Sequence, residues 1–485
     1  MISDEDKLAA LEARAAALHP SAEERTALLA AVNERAEAYL ERLDTMPAYT
    51  APDPADLAVL DEPFGEEPIP ADHALAAYAR GVERPGVNET VGRFFGFIPG
   101  SGLYAAALGD YLAAVTNPYA GVTYAGPGAV RMERRLLRWV ADFIGYPDSA
   151  AGDLTSGGSI AILSAMVTAR ESCGVRAREV ERTVAYLTAQ THHCVDKALA
   201  IAGVGECVQR RIPLDARYRM DVAALAEQVA RDRADGLRPW LVVASAGTTD
   251  TGAVDPLPAI ADVAQREGLW LHVDGAYGAS FALTDEGKRR LAGLERADSL
   301  VLDPHKGLFL PFGTGLVLVR DGDELRQAYT FTASYMQDTG GFGEAMELSP
   351  AAASPELSRH FRALRLWLPL KLAGVGAFRA ALEEKLLLAR YFHARMAELP
   401  DFEVGPEPDL SIVVFRYVPD EGDADAFNLQ LAERIQADGR IYLSTTRLDG
   451  RIVLRLAVLN VRSHRREVDL AVEVIRETAA ALASS

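Results

Sequence analysis

Asp303-Pro304-His305-Lys306-Gly307 is the stretch of this chain whose residue types are best suited to covalent chemistry. It follows a short apolar run, Ser299-Leu300-Val301-Leu302, and precedes another, Leu316-Val317-Leu318-Val319. A lysine on the turn after a strand, with a histidine before it and glycines after it, is placed to hold its amine against a bound aldehyde. Standing alone, Lys306 would read as a solvated surface residue. It does not stand alone: Leu269-Trp270-Leu271-His272-Val273-Asp274 reads as a buried strand that ends on a carboxylate 32 residues upstream. Such a carboxylate keeps a proton on a ring nitrogen, and a protonated ring is a good electron sink. At ~3 Å and an effective dielectric of ~20 the attraction is roughly 5 kcal/mol before desolvation is subtracted.

Pyridoxal 5'-phosphate carries an aldehyde, a basic ring nitrogen and a phosphate, and further segments suit its remaining parts. Leu154-Thr155-Ser156-Gly157-Gly158-Ser159 opens a predicted helix (Ile160 to Arg170), whose free N–H groups make a phosphate site, with His305 as a second donor. His192, in Thr191-His192-His193, is a candidate to stack flat on the cofactor ring, with its edge toward a substrate carboxylate. Metal ligation is not expected there, because no carboxylate or cysteine has matching spacing. Thr249, in Ala246-Gly247-Thr248-Thr249, could turn its hydroxyl toward the same ligand. Arg93-Phe94-Phe95-Gly96-Phe97-Ile98-Pro99-Gly100-Ser101-Gly102 is either core with a turn or the wall of a substrate pocket. On the second reading Phe97, Pro99, Gly100 and Ser101 line it. Gly203-Val204-Gly205 lacks the third glycine of a dinucleotide fingerprint, which speaks against a nicotinamide dehydrogenase.

The elements that must position these residues follow from periodicity. Residues 7 to 45 have helical spacing, with Ser21 as a cap before Glu23 and Glu24. A proline-studded stretch from Pro47 to Pro70, interrupted by Leu57, Val59, Leu60 and Ile69, predicts an extended arm laid on another surface, which suggests a dimer partner. From about 150 to 320 helical and strand patterns alternate, with strands near 184–187, 206–211, 240–246, 269–274, 299–302 and 316–319. That alternation predicts an α/β domain with a mostly parallel sheet, whose ligands gather at the carboxyl ends of the strands. Lys306, Asp274, Thr249 and His192 all fall at or just after such ends. After 345 the chain reads as helical, and it closes with a small α+β pattern: strand 410–417, helix 427–438, strand 451–458 and helix 466–482.

Composition bounds the rest. The 485 residues are 49% hydrophobic and 25% charged, ordinary for a globular enzyme, and the formal net charge of −19 argues against nucleic acid or an anionic membrane as partner. The three cysteines, Cys173, Cys194 and Cys207, are scattered, as expected in a reducing cytoplasm. The acidic start of the chain and the lack of an apolar run of 18 or more residues predict neither a signal peptide nor a membrane span.

Asp303-Pro304-His305-Lys306, His272-Val273-Asp274-Gly275-Ala276-Tyr277 and Phe361-Arg362-Ala363-Leu364-Arg365-Leu366-Trp367 together give a resemblance that runs from about residue 25 to the C-terminus. The chain resembles the group II pyridoxal-phosphate amino-acid decarboxylases, the family of aromatic-L-amino-acid, glutamate and histidine decarboxylases. The resemblance implies a fold type I enzyme: a mostly parallel seven-stranded sheet flanked by helices, with an N-terminal arm (1–104), a large cofactor domain (105–378) and a small C-terminal α+β domain (379–485). It implies a homodimer wrapped by the arms, with the active site near the subunit interface. Lys306 would form the internal aldimine, Asp274 would hold the pyridine nitrogen, His192 would stack on the ring and Ala276 would pack on its other face. Gly157, Gly158, Ser159 and His305 would line the phosphate, and Thr249 would lie beside the cofactor. Tyr335 stands where the family carries a loop tyrosine that returns a proton to the substrate carbon, which implies a lyase releasing amine and carbon dioxide.

Relatives with phenylalanine at the Tyr335 position make aldehydes with oxygen, so an oxidative aldehyde synthase is the nearest alternative, and a catalytically inactive homologue kept as a binding partner is another. The chain departs from the family at Gly307, where many relatives have tryptophan, at Val91-Gly92, where aromatic-acid enzymes have His-Pro, and at Val122, where some place a bulky ring reaching the pocket from the partner subunit. Aromatic, acidic and small aliphatic amino acids all stay open as substrates, and Phe94 to Phe97 favour an aromatic one.

Overall fold

The computed structural model describes residues 3–98, 100–330 and 349–484. Strand β1 (Ala151–Thr155) is followed by β2 (Thr183–Thr188), β3 (Val208–Ile212), β4 (Arg238–Ser245), β5 (Trp270–Asp274), β6 (Ser299–Leu302) and β7 (Gly315–Val319). They form a seven-stranded sheet in the order β1-β7-β6-β5-β4-β2-β3. Strand β7 runs antiparallel to both β1 and β6, and every other neighbouring pair is parallel. The carboxyl ends of the six remaining strands therefore share one edge of the sheet.

The inner strands, β2 and β4 to β7, are mostly apolar on both faces because both faces are covered, whereas edge strand β3, Val-Gln-Arg-Arg-Ile, is largely polar. Alternate residues go to opposite sides: Val184, Tyr186, Val242 and Ala244 join one core, and Ala185, Leu187, Leu241 and Val243 the other. Helix α1 (Pro127–Ile144) packs into the first core, while α2 (Gly158–Ser172) and α3 (Cys194–Ile201) close the second. Edge strand β1 was not among the strands predicted. Its sequence, Ala-Gly-Asp-Leu-Thr, is weak strand material, and its hold is long-range: the fully buried Arg359 pairs with Asp153 at 2.6 Å and Glu133 at 3.0 Å, and donates to the Leu154 carbonyl.

Residues 402–457 form a second, four-stranded antiparallel sheet, β8 (Phe402–Val404), β9 (Ile412–Tyr417), β10 (Ser444–Leu448) and β11 (Arg451–Ala457), in the order β8-β9-β11-β10. Helices α5 (Ala424–Asp438) and α6 (Arg465–Ala483) cover it, and α4 (Ala363–Ala397) links it to the large sheet. Helix α4 runs unbroken through 378/379, and its one non-helical residue is Gly374, at φ 74°. At the other end of the chain, helices at Asp4–Ala15 and Ala22–Glu41 bury no residue. The second starts with a complete capping box, Ser21 with Glu24, and His19-Pro20 divides the single helical run read from the sequence.

Residues 93–98 and 100–103 are wedged between the two sheets. Phe95 accepts from Ala457 and donates to Tyr442, while Leu103 donates to the Phe309 carbonyl at 2.9 Å.

Candidate active site

At the shared edge, loops after five strands enclose a cavity of about 300 Å³. After β6, Asp303 precedes one helical turn, Pro304–Gly307, which lifts Lys306 into the opening. The Lys306 Nζ lies 3.1 Å from Asp303 Oδ2, a carboxylate whose side chain is only 2% exposed. Burial disfavours the ammonium, but Asp303 and Asp274 outweigh it and hold the amine above the ordinary lysine range. Asp274 ends β5 on the same cavity and accepts from the Ala276 amide at 3.1 Å.

Strand β1 delivers Ser156, Gly157, Gly158 and Ser159, and α2 starts at Gly158 with its free N–H groups. Two contacts require glycine here. A Cβ on Gly158 would stand 2.8 Å from Asp303 Oδ2, and one on Gly315 would stand 2.7 Å from Asp303 Oδ1. His305 closes this corner: its Nδ1 accepts from the Thr314 amide at 3.2 Å, and its Nε2 is 3.6 Å from Asp303 Oδ2. Burial pushes the His305 imidazole down, against the pull of Asp303, so it is disposed to stay neutral.

His192 enters after β2 on a turn tied by Thr188 and Thr191, and it lines the cavity with Thr248, Thr249, Ala276 and Tyr277. Burial lowers its imidazole as well, with Asp274 opposing. Thr249 is steadied from behind, where its carbonyl accepts from the Arg455 guanidinium of the small sheet at 2.6 Å.

Lys306, Asp274, His192, Ala276, Thr249, His305, Gly157, Gly158 and Ser159 thus converge on one cavity. None of the described substrate-wall candidates lines it. Phe97 is half-exposed and tilts against Phe94 and Tyr442 at 6.0 Å from each. Gly100 lies beneath His305, where a Cβ would stand 1.8 Å from its carbonyl oxygen. Ser101 is buried, and its Oγ accepts from the Val461 amide at 3.0 Å. Val122 is buried at the loop before α1. Phe94 and Phe95 are fully buried, so most of that aromatic segment is core. Pro99 and Tyr335 lie outside the described residues.

The sequence reading missed Asp303 as a partner of Lys306, although a three-residue spacing on one helical turn marks it, and it missed Cys194, two residues after His192. Among the described residues no cluster of histidine, cysteine and carboxylate could hold a metal ion, and no helix is long and apolar enough to cross a membrane.

The donor set fits pyridoxal 5'-phosphate. An amine and a carboxylate share a cavity, and a glycine-walled helix start leaves room for an anion where side chains would not. When bound, the group supplies an aldehyde and an electron-accepting ring.

Comparison with known proteins agrees. The family described as pyridoxal-dependent decarboxylase conserved domain matches residues 55–418, well over half of the chain. An aromatic-L-amino-acid decarboxylase of Bacillus atrophaeus is 39% identical over 379 residues, covering 77% of this chain and 78% of its own. A phenylacetaldehyde synthase of Arabidopsis thaliana is 30% identical over 402 residues, covering 80% and 82%. The crystal structure of Oryza sativa TDC with PLP and tryptamine superposes with a TM-score of 0.88 at 28% identity, covering 96% of this chain and 99% of that one. This chain therefore belongs to the pyridoxal-dependent decarboxylases and is a pyridoxal-phosphate-dependent amino-acid decarboxylase of fold type I.

Proposed function

We propose that this enzyme removes the α-carboxyl group of an aromatic L-amino acid, releasing the amine and carbon dioxide, and that it works as a cytoplasmic homodimer. The observation that carries the substrate class is the 39% identity with an aromatic-L-amino-acid decarboxylase over three quarters of both chains. In this reading Lys306 is the amine that holds the cofactor's aldehyde carbon, and Asp274 keeps the proton on the ring nitrogen. Gly157, Gly158, Ser159 and His305 hold the phosphate. His192 and Ala276 cover opposite ring faces, and Thr249 sets the ring's edge. Tyr335, outside the described residues, returns a proton to the substrate carbon. Gly100 and Ser101 support the site from beneath, and the pocket is completed at the subunit interface, with Phe97 and Val122 toward its rim.

The dimer is supported by apolar surface left uncovered in one chain. Leu28, Leu29 and Val32 on the arm are each at least 45% exposed, and Tyr104, Leu108 and Val115 repeat at helical spacing along Tyr104–Thr116 at 41% exposure or more. Solvated stripes of this kind mark interfaces. The chain then divides into an arm (1–104), a cofactor domain (105–378) and a small domain (379–485).

Carbon dioxide release across the twenty amino acids tests the substrate. Tryptophan, tyrosine or phenylalanine should exceed glutamate and alanine at least about tenfold in kcat/KM, the scale of one apolar ring recognised by a pocket. Preference for an acidic or small aliphatic acid would refute the aromatic reading. Similarity to the phenylacetaldehyde synthase favours one second reading, oxygen-dependent aldehyde formation. Consumption of oxygen with release of peroxide during turnover would establish it, and turnover under nitrogen at the full rate excludes it.

A further inference from the structure

Among the described residues the His192 ring makes two hydrogen bonds, both at Nδ1 and both with Cys194. The Cys194 amide donates to Nδ1 at 3.3 Å, and the Cys194 Sγ lies 2.7 Å from the same nitrogen. The geometry has a local cause. Cys194 is the first residue of α3, and helix starts leave amide N–H groups without partners inside the helix. The imidazole two residues earlier folds back and accepts one of them, as a capping side chain does.

A backbone N–H can only donate, so this long contact biases Nδ1 toward the unprotonated state without fixing it by itself. The thiol fits the same polarity. Cys194 is buried, and burial together with the negative Asp274 pushes its thiol up to about 12, so it stays S–H and also donates. A proton on Nδ1 would face two donors. The neutral ring must then carry its proton on Nε2, the nitrogen these contacts leave free to meet a ligand in the cavity.

We propose that Cys194 is a positioning residue that acts through His192: its S–H and amide N–H together lock the imidazole as the Nε2–H tautomer and fix the ring plane. The inference rests on the reading above, in which His192 faces cofactor and substrate. The lock makes His192 a donor at Nε2, suited to a carboxylate oxygen, and withholds it from service as a base at that atom. The His193 ring, 4.2 Å away between centroids and tilted by 40°, limits rotation from the other side.

The test uses the cofactor-loaded full-length protein labelled with nitrogen-15 at histidine, with solid-state spectra of the sedimented enzyme and His192→Gln to assign the signals. His192 should show one pyrrole-type and one pyridine-type nitrogen, with the proton bonded to Nε2. A proton on Nδ1 in the unmutated enzyme would overturn the proposal outright, whatever any variant does. Cys194→Ser keeps a donor and should keep the spectrum and the turnover. Cys194→Val keeps the volume and the amide but loses the side-chain donor. It should show mixed tautomers and a kcat lower by about five- to tenfold, roughly what one hydrogen bond is worth, with KM changed less. An unmixed Nε2–H signal in Cys194→Val would show that the thiol does no positioning. His192→Gln separates the two readings: if it leaves cofactor binding and turnover unchanged, the placement of His192 in the site fails, whereas a normal His192→Gln loss with an unaltered Cys194→Val spectrum sinks only the lock.

Discussion

Two lysines of this chain are taken out of bulk water, one beside each sheet, and their amines are shifted in opposite directions. Lys385, on α4, is fully buried and donates to the Ser463 carbonyl at 2.5 Å and to Glu384 at 2.8 Å. Burial wins there, and the amine is pushed below its ordinary range despite Glu384. Lys306 keeps 26% of its side chain exposed, toward the cavity, and sits between Asp303 and Asp274. There the carboxylates win and the amine is raised. Burial alone therefore does not make a lysine reactive. Lys385 spends its hydrogens on tying α4 to the loop before α6, whereas Lys306 has an open volume beside it and a carboxylate to hold its proton until a ligand arrives.

Exchanging each lysine should break that contrast in opposite directions. Lys306→Ala should cut turnover by at least about a thousandfold and abolish the visible absorbance of the loaded protein, while the unfolding midpoint barely moves; colour that survives would remove Lys306 from its role. Asp274→Asn should cost roughly a hundredfold in kcat, because a neutral amide cannot hold the ring proton, with cofactor binding weakened as read by equilibrium titration.

A third buried base sharpens the point that burial refuses protons. His272, on β5, is fully buried against Ser299, and burial pushes it down to about 4 from an ordinary 6.5. As pH falls, the unfolded chain takes up this proton first. The folded state keeps its full advantage above about pH 6.5 and loses it progressively toward pH 4, by about 2 kcal/mol between pH 7 and 5. Urea unfolding at the two pH values should show that loss, and His272→Phe should remove that part of it. The smallest effect belongs to Lys385→Met, about 1 kcal/mol of stability from the unpaired Ser463 carbonyl, with kcat unchanged. A large loss of turnover there would mean that the two lysines are not separate.

The parts of the fold legible in the sequence were those held by local pattern. Five of the six strands read in the large sheet announce themselves as apolar runs, since both their faces are covered, and Ser21 with Glu24 marks a helix start that the structure reproduces. What was missed depends on distant partners. Strand β1 needs Arg359, some two hundred residues away, and β10, Ser-Thr-Thr-Arg-Leu, is a strand because β11 pairs with it. The same division holds at the site. Residues at strand ends were readable, and the structure gathers nine of them on one cavity. The cysteine behind His192 was not, because a thiol two residues along is ordinary until the ring is seen to fold back onto it. The aromatic segment misled for a related reason: Phe94 and Phe95 are apolar enough for a pocket wall, but the small sheet claims them first.

The wedge at residues 93–103 has a consequence for biosynthesis. Gly100 rests on the His305 carbonyl, Ser101 on the Val461 amide and the Arg462 guanidinium, and the Phe97 carbonyl on Arg455. A ribosome emits the wedge early and Arg455, Val461 and Arg462 some 350 residues later. The large sheet can pair its strands while translation continues, but the floor beneath Lys306 stays unfinished until the C-terminal sheet arrives. A chain truncated before Arg455 would display the lysine motif without the guanidinium that holds the Phe97 and Thr249 carbonyls.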